Sequence, residues 1–171
     1  MITRLNVNHM KKTIIAVTGL LAIVAISADR IGFKTYERVN GLDWKVYNVG
    51  SSERNLIGYN YSFTEAQTAC PEGWRLPTRQ ELEALSKNYS PTVKYKEMTG
   101  RWFTGQKYYS KKAPGLFFPR TELVSAFDSG TYWSSTLYDK DNAYCLVFNA
   151  KNVNVTFVNC SNRCAVRCVK K

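Results

Sequence analysis

The chain has 171 residues, which is the size of a single domain and enough to bury a substantial core. It carries 24 lysine and arginine residues against 13 acidic residues, and its only histidine is His9. Beyond that position the sequence can supply neither a Ser-His-Asp triad nor a histidine-ligated zinc ion. An enzyme would therefore depend on carboxylate, lysine, tyrosine or cysteine side chains.

The N-terminal segment is typical of a secretory signal peptide. Three basic residues precede an apolar run at 14–26, and Ser27 and Ala28 provide small residues for cleavage. The run is shorter than the roughly 20 apolar residues of a membrane span. We expect residues 1–28 to be removed on export, which leaves 21 basic residues against 13 acidic ones, a net charge of +8. An uncleaved N-terminal anchor is the alternative.

Two short strands are predicted after this segment. The first belongs to a lead-in segment at 29–40, and the second lies at 44–49. Between them, Asn40-Gly41 is a dipeptide that favours a tight hairpin turn. A polar loop follows at 50–60.

Two capped helices are predicted on either side of a Cys-Pro turn. Ser62 and Glu65 form a capping-box pattern at the start of the first helix, which Pro71 ends. Thr78 and Glu81 repeat the pattern at the start of the second helix. Between the helices the chain is expected to be extended, because a residue that precedes proline disfavours helical backbone.

Residues 87–120 are basic and aromatic and show no regular period. They contain eight basic residues and one acidic residue, with eight aromatic side chains interleaved. Glycine and proline interrupt any pattern, so we predict a long structured loop region with short strands, one of them at 115–119. This region is either a patch for an anionic partner or a set of ordinary solvated positions.

The last forty residues have the pattern of β-strands. One strand begins near Tyr132, a second at 143–148 is apolar on both faces, and a third at 153–157 alternates valine and phenylalanine with polar residues. A hairpin turn is expected at 150–152 and a final strand at 165–169.

The order of these motifs resembles the Fibrobacter succinogenes major paralogous domain. The motifs are Trp44 with Asn48-Val-Gly50, Cys70-Pro-Glu-Gly-Trp-Arg-Leu-Pro-Thr78 with Glu81-Leu82, Gly115-Leu-Phe-Phe-Pro119, Gly130-Thr-Tyr-Trp-Ser-Ser135, Ala143-Tyr144 and Val166-Arg-Cys-Val169. The resemblance implies an α+β, C-type-lectin-like domain over 41–171, with two helices packed on a small mainly antiparallel sheet and a long loop region. It implies no enzyme activity, and the calcium-binding motifs of such lectins are missing.

The resemblance also implies a disulfide between Cys70 and Cys168, which would join the first helix to the last strand. As a nucleophile, Cys70 would lie at a helix C-terminus, where the helix dipole disfavours a thiolate. The hairpin turn at 150–152 brings Cys160 or Cys164 within reach of Cys145, and we take Cys145 and Cys160 as the second pair. Five cysteines leave one thiol over.

The candidate ligand-binding residues come from two regions. In some C-type-lectin-like proteins the C-terminal surface is the variable ligand face, and here 138–142 and 149–162 are rich in asparagine, serine, aspartate and tyrosine. Such residues offer adaptable hydrogen bonds and rigid aromatic contacts. With the basic region, the candidates are Trp102, Arg101, Tyr108, Tyr109, Tyr138, Asp139, Asn142, Asn152, Asn154 and Asn162. The alternative for the C-terminal group is polar turn residues on an ordinary hairpin.

These observations together predict a binding module that is secreted, periplasmic or on the outer cell surface. We expect no catalysis, no metal and no cofactor, and an extracellular glycan or surface protein as partner, with an anionic one fitting the positive charge. Nucleic acid is not expected, because the chain is exported. Two alternatives are a structural surface or pilus-associated module that self-associates, and a thiol-dependent oxidase related by fold, which would need an accessible pair of free cysteines.

Overall fold

The computed structural model describes residues 35–52, 55–105, 115–121 and 129–171, which form an α+β fold of mainly antiparallel strands with two short helices. The elements in chain order are β1 (Tyr36–Val39), β2 (Leu42–Lys45), β3 (Asn60–Tyr61), α1 (Phe63–Ala69), β4 (Trp74–Arg75), α2 (Arg79–Leu85), β5 (Val93–Tyr95), β6 (Met98–Thr104), β7 (Gly115–Pro119), β8 (Gly130–Leu137), β9 (Asn142–Phe148), β10 (Val153–Asn159), β11 (Cys164–Ala165) and β12 (Val169–Lys170). Neither helix in these ranges is long and apolar enough to cross a membrane.

The strands form three sheets. The first has the order β1-β2-β12-β4, the second β10-β9-β8-β11-β3, and the third β5-β6-β7. Only the β11–β8 pair is parallel among the described strands. The C-terminal strand β12 lies between β2 and β4, so the end of the domain completes the sheet that its beginning starts.

The local turn and cap predictions are confirmed. Asn40 and Gly41 both have positive φ angles, +51° and +79°, as a two-residue hairpin turn between β1 and β2 requires. Ser62 and Thr78 cap α1 and α2, and each helix has a complete capping box. α1 ends at Cys70, immediately before Pro71.

The second sheet is covered on both faces. Successive residues of a strand point to opposite faces, and the neighbours Tyr132 and Trp133 of β8 accordingly belong to different buried clusters. On the Tyr132 face, α2 packs through Leu82 and Leu85, together with side chains of β6 and β7. On the Trp133 face, α1 packs through Phe63 and Ala66. Each helix therefore buries its apolar side against the same sheet from opposite sides.

The predicted long loop region is partly a sheet. β5 and β6 form a hairpin whose turn residues, Lys96 and Glu97, have positive φ angles, and β7 pairs with β6. The aromatic side chains of Tyr95, Trp102 and Phe117 contact one another across the three strands, with ring centroids 5.1–5.5 Å apart. Such cross-strand pairs stabilise a sheet. They join residues that are distant in the chain, so they do not appear as a regular period in the sequence.

The predicted final strand at 165–169 is wrong in its extent. The structure has two short strands instead, because the chain leaves the second sheet after Ala165 and enters the first at Val169. Between them, the Val166 carbonyl accepts a hydrogen bond from Val49 N–H, and the Cys168 carbonyl accepts one from Lys45 N–H. Arg167, in this crossing segment, is 1% exposed.

Arg167 lies where the three sheets meet. Its guanidinium donates to Asn48 Oδ1 at 2.8 Å and to the carbonyls of Lys45 at 3.1 Å, Val46 at 2.7 Å and Phe117 at 2.9 Å. The guanidinium carbon also lies 4.3 Å from the centre of the Phe118 ring. Burial lowers the pKa of Arg167 to about 10, so the side chain is still charged at neutral pH.

A second buried polar side chain extends this hydrogen-bond network into β8. Asn48 Nδ2 donates to Tyr132 Oη at 3.2 Å, and Tyr132 Oη–H donates to the Pro119 carbonyl at 2.6 Å. Burial raises the pKa of Tyr132 to about 12, which keeps the hydroxyl neutral and able to donate. Asn48, Tyr132 and Arg167 thus connect all three sheets through buried hydrogen bonds.

Glu81 joins the cap of α2 to β4. Its Oε2 accepts from the Thr78 backbone N–H at 2.7 Å and from Arg75 Nη1 at 2.8 Å, while Oε1 accepts from Arg75 Nη2 at 2.8 Å. These hydrogen bonds, those from Arg75 above all, hold the pKa of Glu81 below its usual value of 4.5.

Replacing Glu81 by glutamine is expected to reduce stability at neutral pH and to matter less in acid. Because the pKa of Glu81 is lower in the folded than in the unfolded chain, its contribution is complete above 4.5 and is lost as pH falls through the folded pKa. Urea unfolding should show a larger difference between wild type and Glu81→Gln at about pH 7 than at about pH 3. The same change at Glu65, whose side chain is 50% rather than 18% exposed, should give a smaller difference. Equal differences at both pH values would contradict the charge-dependent role.

Candidate functional site

The first predicted disulfide is present. Cys70 and Cys168 are bonded with an S–S distance of 2.11 Å, and the bond connects the C-terminal end of α1 to the residue before β12. Cys70 is therefore part of the scaffold and carries no thiol.

The second predicted pair, Cys145 with Cys160, is wrong. Both are free thiols in the structure, as is Cys164. Cys145 lies opposite Thr156. Cys160 follows β10 and donates its N–H to the carbonyl of Asp141, and Asp141 is four residues from Cys145 in the chain. At about 3.3 Å per residue, that places the two cysteines about 13 Å apart along the sheet.

The buried thiols are Cys145 and Cys164, which share the cluster on the Trp133 face. Burial raises the pKa of Cys145 to about 12, and burial also raises the pKa of Cys164, with a further increase from the neighbouring Cys145. At neutral pH both remain thiols without nucleophilic character. Cys160 is half-buried, and its pKa is raised as well.

The two candidates of the basic region that the structure describes, Arg101 and Trp102, are both at least partly buried. Arg101 is 3% exposed and donates to the carbonyls of Ser90, Asn149 and Ala150, so it holds the β9–β10 turn against β6. We correct its assignment from ligand contact to structural hydrogen bonding. Trp102 is half-buried between aromatic neighbours. Tyr108 and Tyr109 lie outside the described residues.

Four of the C-terminal candidates lie together: Tyr138, Asp139, Asn142 and Asn162. Asp139 Oδ1 accepts from the backbone N–H groups of Asp141 and Asn142, both at 2.8 Å, which forms the turn between β8 and β9. A second turn follows β10, and Asn162 N–H donates to the Asn159 carbonyl there. The hydrogen bond from Cys160 N–H to the Asp141 carbonyl, at 2.8 Å, ties the two turns together.

The other two C-terminal candidates lie at the opposite end of the sheet. Asn152 closes the β9–β10 turn through hydrogen bonds with Asn149, and this confirms the predicted turn. Asn154 is exposed near the start of β10. With about 3.3 Å per residue, the length of β10 separates this end from the turn at 159–162 by about 20 Å. One ligand of ordinary size would not contact both groups.

The structure adds an aromatic cluster that the sequence did not reveal, formed by Tyr138, Tyr144 and Phe157 with Arg79. The rings of Tyr138 and Phe157 stack with centroids 3.9 Å apart and planes at 2°, and they are 50% and 44% exposed. Tyr144 stands edge-on to both. Arg79 lies 4.3 Å above the Tyr144 ring and donates to its hydroxyl at 2.9 Å.

Phe157 is exposed although its position in β10 faces the core side. It lies opposite Tyr144, on the face that α2 covers. α2 begins at Arg79, whose side chain covers Tyr144, so the helix does not reach Phe157. The alternation of the strand predicts the correct face, but it cannot predict where the covering helix begins.

One depression elsewhere on the surface contains a charged pair. An open depression of about 810 Å³ is bordered by Tyr59, Tyr61, Glu65 and Arg163. There, Arg163 forms an ion pair with Glu65 at 3.1 Å. Within the described ranges, no three histidine, cysteine, aspartate or glutamate side chains converge as a metal site would require.

Comparison with known proteins identifies the family. No curated protein matches the chain. Residues 34–170 match the model of the Lcl C-terminal domain, which is a different family description from the one that the motifs resemble. The match covers most of the chain and all of the described strands and helices. The chain therefore belongs to the Lcl C-terminal domain family.

Proposed function

We propose that this protein is an exported, surface-associated recognition module without catalytic activity, and that its ligand contacts the aromatic cluster and the adjoining turn at 138–142. Residues 1–28 serve as the signal peptide in this proposal, and the domain has a C-type-lectin-like fold. Membership of the Lcl C-terminal domain family supports a surface-associated module. The two helices on opposite faces of one sheet, and the bond from α1 to the last strand, support the lectin-like fold.

The observation that carries the proposal is the exposed Tyr138–Phe157 stack beside a polar turn. Single exposed aromatic residues are common, but two stacked rings that remain half exposed offer a rigid apolar surface at low entropic cost. Asp139 and Asn142 lie in the turn next to this surface, where Asn142 Nδ2 donates to both carboxylate oxygens of Asp139 at 2.9 Å, so a ligand would exchange these exposed hydrogen bonds for its own. Sugars and protein loops both bind through this combination of aromatic contact and adaptable hydrogen bonds.

The thiols support a role other than oxidation chemistry. A thiol-dependent oxidase needs two cysteines that are close together and reachable by solvent. Cys145 and Cys164 are near each other but buried, and burial keeps both protonated. Cys160 is half-buried against the same cluster, and its pKa is raised as well.

The ligand in this proposal is an extracellular glycan or a surface protein. The net charge of +8 outside the signal segment favours an anionic partner through long-range attraction. Arg79 is a cation of the cluster, over the Tyr144 ring, but it already forms an ion pair with Glu83 at 2.6 Å. We therefore propose that the aromatic rings supply most of the binding energy. The preference for an anionic ligand comes from the net charge of the whole surface.

Replacing Tyr138 by alanine is expected to weaken ligand binding by about 30-fold, because a central aromatic contact is worth about 2 kcal/mol. The ligand would first be identified on glycan and surface-protein arrays, and affinities would then be measured by surface plasmon resonance. Tyr59→Ala is the matched control, because Tyr59 is 64% exposed but lies beside β3, away from the cluster. Equal affinities of wild type and Tyr138→Ala would contradict the proposed site.

A further inference from the structure

β10 is an outer strand of the second sheet, and the described residues provide no partner for its outer edge. The direction of its backbone groups follows from two hydrogen bonds at its ends. Asn149 N–H donates to the Asn152 carbonyl, and Cys160 N–H donates to the Asp141 carbonyl. Antiparallel pairs alternate between bonded and non-bonded positions, so even-numbered residues of β10 bond to β9. The N–H and C=O groups of Val153, Val155 and Phe157 therefore point outward, as does the Asn159 N–H, whereas the Asn159 carbonyl already accepts from Asn162 N–H.

This edge lacks the features that usually prevent strands from pairing. The sequence of β10, VNVTFVN, contains no charged residue, no proline and no glycine, in a chain with a net charge of +11. Its register with β9 runs without a bulge over all seven residues. Soluble proteins normally protect a long edge strand with charge, proline or a bulge. An unprotected edge of this length is therefore suited to pairing with another strand.

We propose that β10 pairs antiparallel with β10 of a second copy, across a two-fold axis at Thr156. In this register, Val155 lies opposite Phe157 of the other copy and Val153 opposite Asn159. Val155 and Phe157 then exchange both of their backbone hydrogen bonds, and the Val153 carbonyl accepts from the Asn159 N–H of the other copy. Thr156 faces its own copy in a non-bonded pair with Cα atoms about 4.5 Å apart. The strand is self-complementary at this axis, which a two-fold dimer requires.

The side chains fit the same register. Val155 and Phe157 share the face covered by α2, so the dimer forms two aromatic–β-branched pairs across the new contact. Phe157 is 44% exposed in the single chain and gains apolar contact there. Thr156 and Asn154 are exposed on the other face, and β10 itself contributes no charged side chain there. The two five-stranded sheets become one continuous sheet with both aromatic clusters on the same face.

Charges introduced at Thr156 test the axis directly. We expect the wild-type protein, exported from the full-length gene, to sediment as a dimer. Thr156→Lys and Thr156→Glu should each raise the dimer Kd about tenfold at low ionic strength, because two like charges meet at the axis. An equimolar mixture of the two variants should restore a dimer with a Kd within about twofold of the wild-type value.

The same pair of substitutions at Asn154 is the matched control. In the proposed register the two Asn154 residues lie about 13 Å apart along the strands, beyond the screening length of about 10 Å at 0.1 M salt. Mixing the two Asn154 variants should therefore not lower the dimer Kd below that of either variant alone. The proposal would be overturned if the wild-type protein were a monomer at about 100 µM, or if charges at Thr156 left the dimer Kd unchanged. It would also be overturned if mixing the two Asn154 variants lowered the dimer Kd as much as mixing the two Thr156 variants. Because sedimentation involves no ligand, this result is independent of the ligand-binding test at Tyr138.

Discussion

Replacing Cys70 and Cys168 together by alanine is expected to lower the free energy of unfolding by about 4–5 kcal/mol. The bond spans 98 residues, and closing a loop of that length restricts the unfolded chain by about this amount in the chain-entropy model. It also connects α1 to the residue before β12, so its loss removes the covalent link between the first helix and the C-terminal segment. A small domain has about 5–15 kcal/mol of stability in total, and the loss is therefore a large share.

Urea unfolding of the oxidised wild type, the reduced wild type and the double variant measures this effect. The reduced wild type and the double variant should have similar stability. Cys160→Ala is the control, because Cys160 is half-buried and unbonded, and it should change the unfolding free energy by less than about 1 kcal/mol. A double variant as stable as the control would contradict a structural role for the bond.

Replacing Arg167 by methionine is expected to cost at least about 3 kcal/mol. Methionine has similar length but leaves the Asn48 side-chain oxygen and three backbone carbonyls without their donor. Each buried acceptor that loses its hydrogen bond costs about 1–3 kcal/mol. The contact with the Phe118 ring is lost as well. Because the four acceptors belong to different parts of the fold, we expect cooperative unfolding at lower denaturant concentration.

Two further variants separate the hydrogen bonds of Arg167 from its charge. Arg167→Lys keeps the charge but cannot supply the planar arrangement of donors, so it should also be destabilised, to a smaller extent. Arg38→Met removes an arginine whose side chain is 69% exposed and whose partner is Asp43, and it should cost less than about 1 kcal/mol. If Arg167→Met were no less stable than Arg38→Met, the buried network would not be a determinant of stability.

The parts of the fold that depend on neighbouring residues were predictable. Asn40-Gly41 specifies its hairpin turn because both positions must adopt positive φ angles. Ser62 and Thr78 specify helix starts because the capping residues lie three positions apart in the chain. The turn at 149–152 and the strand at 115–119 followed from similarly local patterns.

The parts that depend on distant residues were not predictable. Arg101 and Arg167 look like surface cations in the sequence, yet both are buried and donate to carbonyls that lie 11 to 122 residues away in the chain. The position of the hairpin turn suggested that Cys145 and Cys160 could pair. The register instead places Thr156 opposite Cys145, four residues before Cys160. The alternation in β10 predicts which face of the sheet Phe157 occupies, but it does not predict where α2 begins and therefore which residues of that face are covered.

The candidate site was therefore predicted in part. The residues at 138–142 were found from their composition, and the structure keeps them together. Tyr144, Phe157 and Arg79 come from β9, β10 and α2, and no spacing in the sequence brings these three together. A signal was nevertheless present, because an aromatic residue in β10 lay directly opposite another in β9 once the turn at 149–152 was known.

The position of β12 has a consequence for biosynthesis. The first sheet cannot close until Val169 enters between β2 and β4, and Cys168 and Arg167 act in the same short segment. A nascent chain consequently lacks its central strand, its covalent link and its buried cation until nearly the whole domain has left the ribosome. In the export that we propose, this late requirement would keep the polypeptide unfolded during membrane translocation, and the Cys70–Cys168 bond would form only in an oxidising compartment.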